Sequence, residues 1–401
     1  MKPSVERKRE AGAGHSRPLA SPSQAALRGL IAERSSGIGI PSGRNVARLH
    51  VGDPCFATPQ HIVDAALEAM TGGYTHYAPS YGDEELRMAI AQHASQRAGR
   101  LIQSTEVLVT AGSTEAVYCA LTALLDPGDE ALLFDPSYSL YQAILNQIGA
   151  KPVYVDMTED LRPDRDRLQR SITDRTRLLI INNPVNPTGV VFNESELKAI
   201  GEIALANDLV ILADEIYDEL VFAGEFSSCL ALPEIADRLL YVNGFSKTYA
   251  MTGWRLGYLI AEPRLLTPAH TIHSNCVAAV NWPAQRAGIA ALQGPREPID
   301  AMFAGYDARR QAMLEGLAGT PGLRPITPEG TFYLYVGFNF STHITSAELT
   351  KRLLAEGVAV RSGTEYGRAG EGYIRLSYSA TFDDIRDGTQ RLHRVFEDVS
   401  S

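Results

Sequence analysis

Lys247 stands in Gly244-Phe245-Ser246-Lys247-Thr248-Tyr249-Ala250-Met251-Thr252-Gly253-Trp254-Arg255-Leu256-Gly257-Tyr258. An amine among hydroxyl, glycine and arginine residues can form an imine with an aldehyde while its neighbours hold a phosphate on the same molecule. Three further stretches offer complementary chemistry. Leu212-Ala213-Asp214-Glu215-Ile216-Tyr217 ends an apolar run on two adjacent carboxylates. Either could keep a heterocyclic nitrogen protonated, because an opposite charge favours the cationic form. Strand alternation turns the two in different directions, and the pattern alone does not choose between them. Thr110-Ala111-Gly112-Ser113-Thr114 follows a β-rich run and opens a helical one. The free N–H groups and positive dipole end of that helix favour an anion, and with Ser246 and Arg255 the stretch makes a coherent phosphate cup. Asn182-Asn183-Pro184-Val185-Asn186-Pro187-Thr188-Gly189 carries two prolines that stiffen the loop after another strand.

These residues need elements to present them. Periodicity predicts a helix over 83–97, a short strand over 106–110 and a helix over 114–125. A turn at Pro127-Gly128-Asp129 leads to a strand over 131–134 and a helix over 138–148. Buried strands over 177–181, 209–213, 239–242 and 256–260, with a helix over 194–207, continue the alternation. Such βα alternation argues for a mostly parallel sheet with helices on both faces. Ligands gather outside the carboxyl ends of the strands in sheets of that kind, and the candidate residues fall at predicted strand ends. After about residue 296 the character changes. A long helix (297–318), a strand (331–336), a helix (346–356), short strands (358–361 and 374–377) and a last helix (382–395) read as a smaller α+β domain.

The composition narrows the function classes. The 401 residues are 45% hydrophobic and 21% charged, as in ordinary globular chains, and the length suits two domains. The net charge of −10 disfavours nucleic acid and anionic membranes as partners, while a few local arginines can still receive an anionic substrate. No apolar run approaches the ~18 residues of a membrane span. Residues 1–24 are basic and rich in Ser, Pro, Gly and Ala, without the apolar core of a signal peptide, and read as a mobile arm. Cys55, Cys119, Cys229 and Cys276 are widely spaced, which suits idle or buried thiols in a reducing cytoplasm. The nine histidines have no metal-ligand spacing, so no metal is expected.

The motifs above, in order from about Leu49 to Val395, closely resemble those of the class I/II aminotransferases, the fold-type-I pyridoxal-phosphate enzymes. The likeness is nearest to the bacterial aspartate-aminotransferase-like subgroup. It implies a large domain with a mostly parallel, seven-stranded sheet sandwiched by helices, plus a smaller α+β domain. It also implies a division into an arm (1–24), an N-terminal part of the small domain (25–60), a large cofactor domain (61–295) and the rest of the small domain (296–401). The cofactor implied is pyridoxal 5'-phosphate, bound to Lys247. The match selects Asp214 over Glu215 as partner of the ring nitrogen. Tyr217 and Asn186 would donate to the ring's phenolic oxygen, and Tyr138 in Asp135-Pro136-Ser137-Tyr138 would stack on the ring. Gly112, Ser113, Thr114, Ser246 and Arg255 would hold the phosphate.

Tyr77, in Tyr74-Thr75-His76-Tyr77-Ala78-Pro79-Ser80-Tyr81-Gly82, resembles the residue that reaches the phosphate of a neighbouring subunit, with Tyr74 and Tyr81 as competitors. A homodimer with shared sites follows from that likeness. Arg375, in Tyr373-Ile374-Arg375-Leu376-Ser377, matches the arginine for the substrate α-carboxylate, and Gly52 the loop that closes over the substrate. One departure is Gly244, where the family often places a hydroxyl.

The implied reaction is ping-pong transfer of an amino group from an L-amino acid to a 2-oxo acid. Aspartate or a broad or aromatic donor is expected, with 2-oxoglutarate as acceptor. An acidic side chain needs a second cation. Arg361, where relatives often carry an apolar residue, is either that cation or a solvated strand end, and His50 is another polar candidate. A lyase, decarboxylase or oxidase would keep the same core residues. The ligand-sensing domain of a transcription regulator would need a basic helix-turn-helix ahead of Leu49, where Pro, Gly and Ser interrupt the chain.

Overall fold

The computed structural model describes residues 45–340 and 344–400. The expected arm and residues 25–44 of the expected small domain lie outside them. The chain enters through strand β1 (Ala47–Arg48) and helices α1 (Gln60–Thr71) and α2 (Glu84–Ala98). It then alternates: β2 (Val107–Thr110), α3 (Ser113–Leu124), β3 (Glu130–Asp135), α4 (Ser139–Ile148), β4 (Lys151–Asp156), α5 (Arg165–Arg170), β5 (Thr176–Asn182), α6 (Glu194–Ala206) and β6 (Val210–Asp214). Strands β7 (Leu239–Gly244) and β8 (Gly257–Ile260) complete this region, followed by helices α7 (Pro263–Cys276), α8 (Trp282–Gln293) and α9 (Glu297–Leu317). Local chemistry fixes several ends. The Asp83 carboxylate accepts the Glu85 N–H at the start of α2, and left-handed Gly99 and Gly149 close α2 and α4.

The seven strands β2 to β8 form one sheet in the order β2-β8-β7-β6-β5-β3-β4. All neighbours run parallel except β8, which is antiparallel to both β2 and β7. The expectation of a mostly parallel sheet is met, with 256–260 as the strand that reverses. Alternation sorts the apolar side chains onto two faces. Leu108, Leu133, Ile180, Leu212, Val242 and Leu259 join the core under α3, α4 and α7. Val109, Leu132, Ile181, Ile211 and Tyr258 join a second core on the opposite face.

The remaining strands are β9 (Leu323–Ile326), β10 (Tyr333–Phe338), β11 (Val358–Ala359), β12 (Arg361–Ser362) and β13 (Tyr373–Ser377), with helices α10 (Ser346–Ala355) and α11 (Phe382–Ser400). Strands β12-β13-β10-β9 form an antiparallel sheet, and β1 pairs in parallel with β11. The single strand expected over 358–361 is therefore two. Val358–Ala359 bonds β1, whereas Arg361–Ser362 bonds β13. The strand expected over 331–336 begins at Tyr333, because Thr331 adopts φ +65° outside the extended region.

Leu212 lies fully buried two residues before Asp214 on the same strand face, beneath the candidate carboxylate. Leu212→Ala is expected to cost about 2–5 kcal/mol of stability, read as a lowered urea midpoint with the m-value retained.

Candidate active site

Five chain crossings deliver residues to one edge of the seven-stranded sheet. Ser113 and Thr114 follow β2, Tyr138 follows β3, Asn186 follows β5, Asp214 ends β6, and Ser246 and Lys247 follow β7. Arg255 precedes β8 rather than following it. It reaches the same edge because β8 is antiparallel, so its start lies beside the carboxyl ends of its neighbours. These side chains line a cavity of about 660 Å³, with Gly52, Tyr217 and Arg375. Gly112 is set back from that lining. Tyr77 is 86% exposed and outside the cavity of this chain.

Lys247 Nζ donates to Gly52 O at 2.7 Å and stands 5.8 Å from the Tyr217 ring centre and 5.3 Å from that of Phe332. Burial, then the charges of Arg375 and Arg255, pull its ammonium below the usual lysine range against the opposing influence of Tyr333 and Asp53. A larger share of neutral amine results, which is the form that attacks carbonyl carbon. Gly52 lets its loop pack on Tyr333: a Cβ there would lie 2.4 Å from Tyr333 Oη.

Asp214 is buried and accepts Tyr141 Oη at 2.8 Å on Oδ2 and Ile216 N at 3.3 Å on Oδ1. Desolvation pushes its carboxyl up to about 6, and the bonds from Tyr141 and Ile216 only partly oppose this. Glu215 turns the other way, as alternation requires. It takes the Ser228 hydroxyl at 2.6 Å and the Cys229 N–H at 2.7 Å, away from the cavity.

Arg375 donates through Nη1 to Asn186 Oδ1 and through Nη2 to His50 O, both at 3.1 Å. Its guanidinium lies 3.9 Å from the Tyr333 ring centre and 5.0 Å from that of Tyr366. Its buried Nε has no partner, and no carboxylate pairs with it among the described residues. Tyr217 donates to Tyr333 Oη at 3.2 Å. Arg361 also lines the cavity, with a side chain 19% exposed and Nη1 3.3 Å from Glu365 Oε2, so it is not a solvated strand end. Burial, followed by Arg361, Arg375 and Arg48, pushes His50 down to about 4, which leaves its imidazole neutral.

Arg255 bonds Thr252 O at 2.9 Å and Ala111 O at 3.4 Å. Two glycines make room for this cup. A Cβ on Gly112 would meet Arg255 Nη2 at 2.5 Å, and one on Gly257 would meet Ser113 N at 2.5 Å. Gly244 faces Gly257 across the β7–β8 pairing, where a Cβ would meet Gly257 Cα and Leu256 O at 3.0 Å. That close approach favours glycine at this position.

The donor set fits a flat phosphorylated aldehyde. The phosphate end meets hydroxyls, helix amides and Arg255; a primary amine meets the aldehyde; and the buried, cation-deprived Asp214 suits a protonated ring nitrogen. Periodicity and motif gave Tyr141 and Tyr333 no role. Tyr141 has a signal, since it lies three residues after Tyr138 on one helical face; Tyr333 has none beyond lying in a predicted strand. Elsewhere, His93, Asp218 and Glu219 converge on one point. Arg97 and Arg296 already pair with those carboxylates.

Comparison with known proteins agrees with this architecture. Residues 44–392 match the family described as aminotransferase class I and II. The chain is 35% identical to an arginine–pyruvate transaminase of Pseudomonas aeruginosa, covering 88% of this chain and 90% of the relative. It is 36% identical to an aspartate aminotransferase of Sulfolobus acidocaldarius, covering 87% and 90%. The solved aromatic aminotransferase of Pyrococcus horikoshii superposes with a TM-score of 0.86 at 34% identity, covering 89% of this chain and 97% of that one. A fold-type-I transferase is thus what the sheet and the cavity define. The chain belongs to the class I and II aminotransferases.

The Asp214 carboxyl has a testable consequence. Its folded-state value is raised, so its contribution to stability is full below the unfolded value of about 3.9 and is lost as pH climbs through about 6. In cofactor-free protein, wild-type stability is expected to fall from pH 4 to pH 7 relative to Asp214→Asn by roughly 2–3 kcal/mol. Urea unfolding across pH checks this. Glu215 and Asp218, also raised by burial, are common to both proteins and cancel in the difference.

Proposed function

We propose that this chain uses pyridoxal 5'-phosphate at Lys247 to exchange the amino group of an L-amino acid with a 2-oxo acid, in two half-reactions at one site. The observation that carries the reading is a buried amine and a buried carboxylate facing one cavity beside a cup of hydroxyls and Arg255. When bound, the cofactor supplies an aldehyde for amino exchange and a cationic ring that stabilises negative charge at the substrate's α-carbon.

The chain's own residues do the rest. Lys247 would hold the cofactor by its aldehyde, and its amine, lining the cavity, would serve as the proton carrier beside the substrate Cα. Asp214, oriented by Tyr141, would keep a proton on the ring nitrogen. Asn186, and Tyr217 on turning its hydroxyl from Tyr333, would donate to the phenolic oxygen, and Tyr138 would lie against the ring. Ser113, Thr114, Ser246 and Arg255 hold the phosphate, with Gly112 clearing space for the guanidinium. Arg375 takes the α-carboxylate in both half-reactions, under the loop that carries Gly52.

The same reading assigns 25–60 and 296–401 to a small domain and 61–295 to a large one, supported by the pairing of β1 with β11. It makes the protein a cytoplasmic homodimer in which Tyr77 reaches the partner's phosphate. The exposure of Tyr77, and of Leu67, Met70 and Val277 around a second cavity beside Arg255, supports that assembly. No helix among the described residues is long and apolar enough to cross a membrane.

The test is a panel of amino donors against 2-oxoglutarate, oxaloacetate and pyruvate with purified holoprotein. Stoichiometric appearance of the new amino acid and 2-oxo acid is expected. Lys247→Ala is expected to lose roughly 10³-fold or more in rate. Release of ammonia or peroxide without exchange would overturn the reading, as would normal exchange by Lys247→Ala.

A further inference from the structure

Arg361 and Arg375 are direct partners across the antiparallel β12–β13 pair. Opposed residues share one sheet face at a Cβ separation of about 5 Å, and like charges placed so destabilise each other. Both side chains nonetheless enter the same cavity. Their surroundings differ. Among the described residues Arg375 has only neutral direct partners, an amide oxygen, a carbonyl and two tyrosine rings, and keeps an unpartnered buried Nε. Arg361 has one ion pair among the described residues, a single-point contact at 3.3 Å with Glu365. Glu365 in turn accepts Ser362 N at 3.3 Å, which pins its carboxylate to the short helical turn after β12. His50, on the same cavity and held neutral by burial and the neighbouring arginines, adds no charge.

We infer that Arg361 and Glu365 form the specificity pair of the side-chain subsite, and that the preferred substrates are dicarboxylic amino acids and 2-oxo acids. This rests on the proposed aminotransfer. With Arg375 on the α-carboxylate, a second carboxylate two or three carbons away spans the gap between adjacent strands and meets the open edge of the Arg361 guanidinium. Arg361 needs no bidentate partner inside the protein because the substrate provides one. Glu365 has the complementary task. A ping-pong site accepts two different substrates in turn, and one that lacks a distal carboxylate would leave Arg361 uncompensated in a partly dry cavity. Glu365 supplies the counter-charge in that half-reaction. The pair therefore sets the ratio between dicarboxylic and uncharged substrates.

The test compares binding of two unreactive acids, succinate and butyrate, to the holoenzyme by calorimetry, alongside kcat/KM for glutamate and alanine. Wild type is expected to bind succinate about tenfold or more tighter than butyrate. Arg361→Gln is expected to weaken succinate by about 10- to 100-fold with a much smaller change for butyrate, and Arg361→Lys to recover part of the loss. Glu365→Gln moves the ratio the other way, favouring succinate and glutamate over butyrate and alanine, and tests the pair even if the Arg361 variants fold poorly. Equal binding of the two acids by wild type, or equal weakening of both by Arg361→Gln, overturns the inference while aminotransfer itself stands. Absence of amino exchange with every donor overturns the proposed function instead.

Discussion

Two opposite charges are kept out of water in one cavity without being allowed to neutralise each other. Lys247 bonds the Gly52 carbonyl and Asp214 bonds the Tyr141 hydroxyl. A buried ion pair would quench both groups. Without a direct ion pair between them, burial pulls the Lys247 ammonium below its usual range and pushes the Asp214 carboxyl up to about 6, so each is poised for a third partner. Much of the surrounding architecture serves that separation. The β6 end aims Asp214, α4 aims Tyr141, and the turn after β7 carries Lys247. The loop at Gly52 arrives from the other end of the chain and closes on Tyr333.

The seven-stranded sheet was legible because its strands are short apolar runs between helices of clear periodicity. Asp214 and Glu215 show how far the reading reached. Alternation required them to diverge, yet only the resemblance chose between them, and the structure turns Glu215 onto Ser228 and Cys229. Arg255 shows a limit. Its place before a strand breaks the rule that ligand residues follow strands, and only the reversed direction of β8 brings it to the right edge. Direction is a tertiary property that periodicity does not carry.

Other features were invisible for related reasons. The strand over 358–361 splits because its two halves pair with strands more than 300 and about 12 residues distant in sequence, a choice made by packing rather than propensity. Tyr333 enters the site through a Cα position that any aromatic strand residue could occupy. The glycines at 112, 244 and 257 were noticed in motifs, but their reason is spatial. Each removes a Cβ that would strike Arg255, the β8 backbone or the Ser113 amide. Arg361 stood open between pocket and solvent until the β12–β13 register placed it opposite Arg375.

The most direct measurement is chemical mapping of the covalent link between protein and cofactor. Holoprotein is treated with borohydride, digested and analysed by mass spectrometry. The expected result is one reduced pyridoxyl adduct per chain, on the peptide containing Lys247 and at that side chain. An adduct confined to another lysine, or a cofactor-saturated protein that yields none, would contradict the central claim.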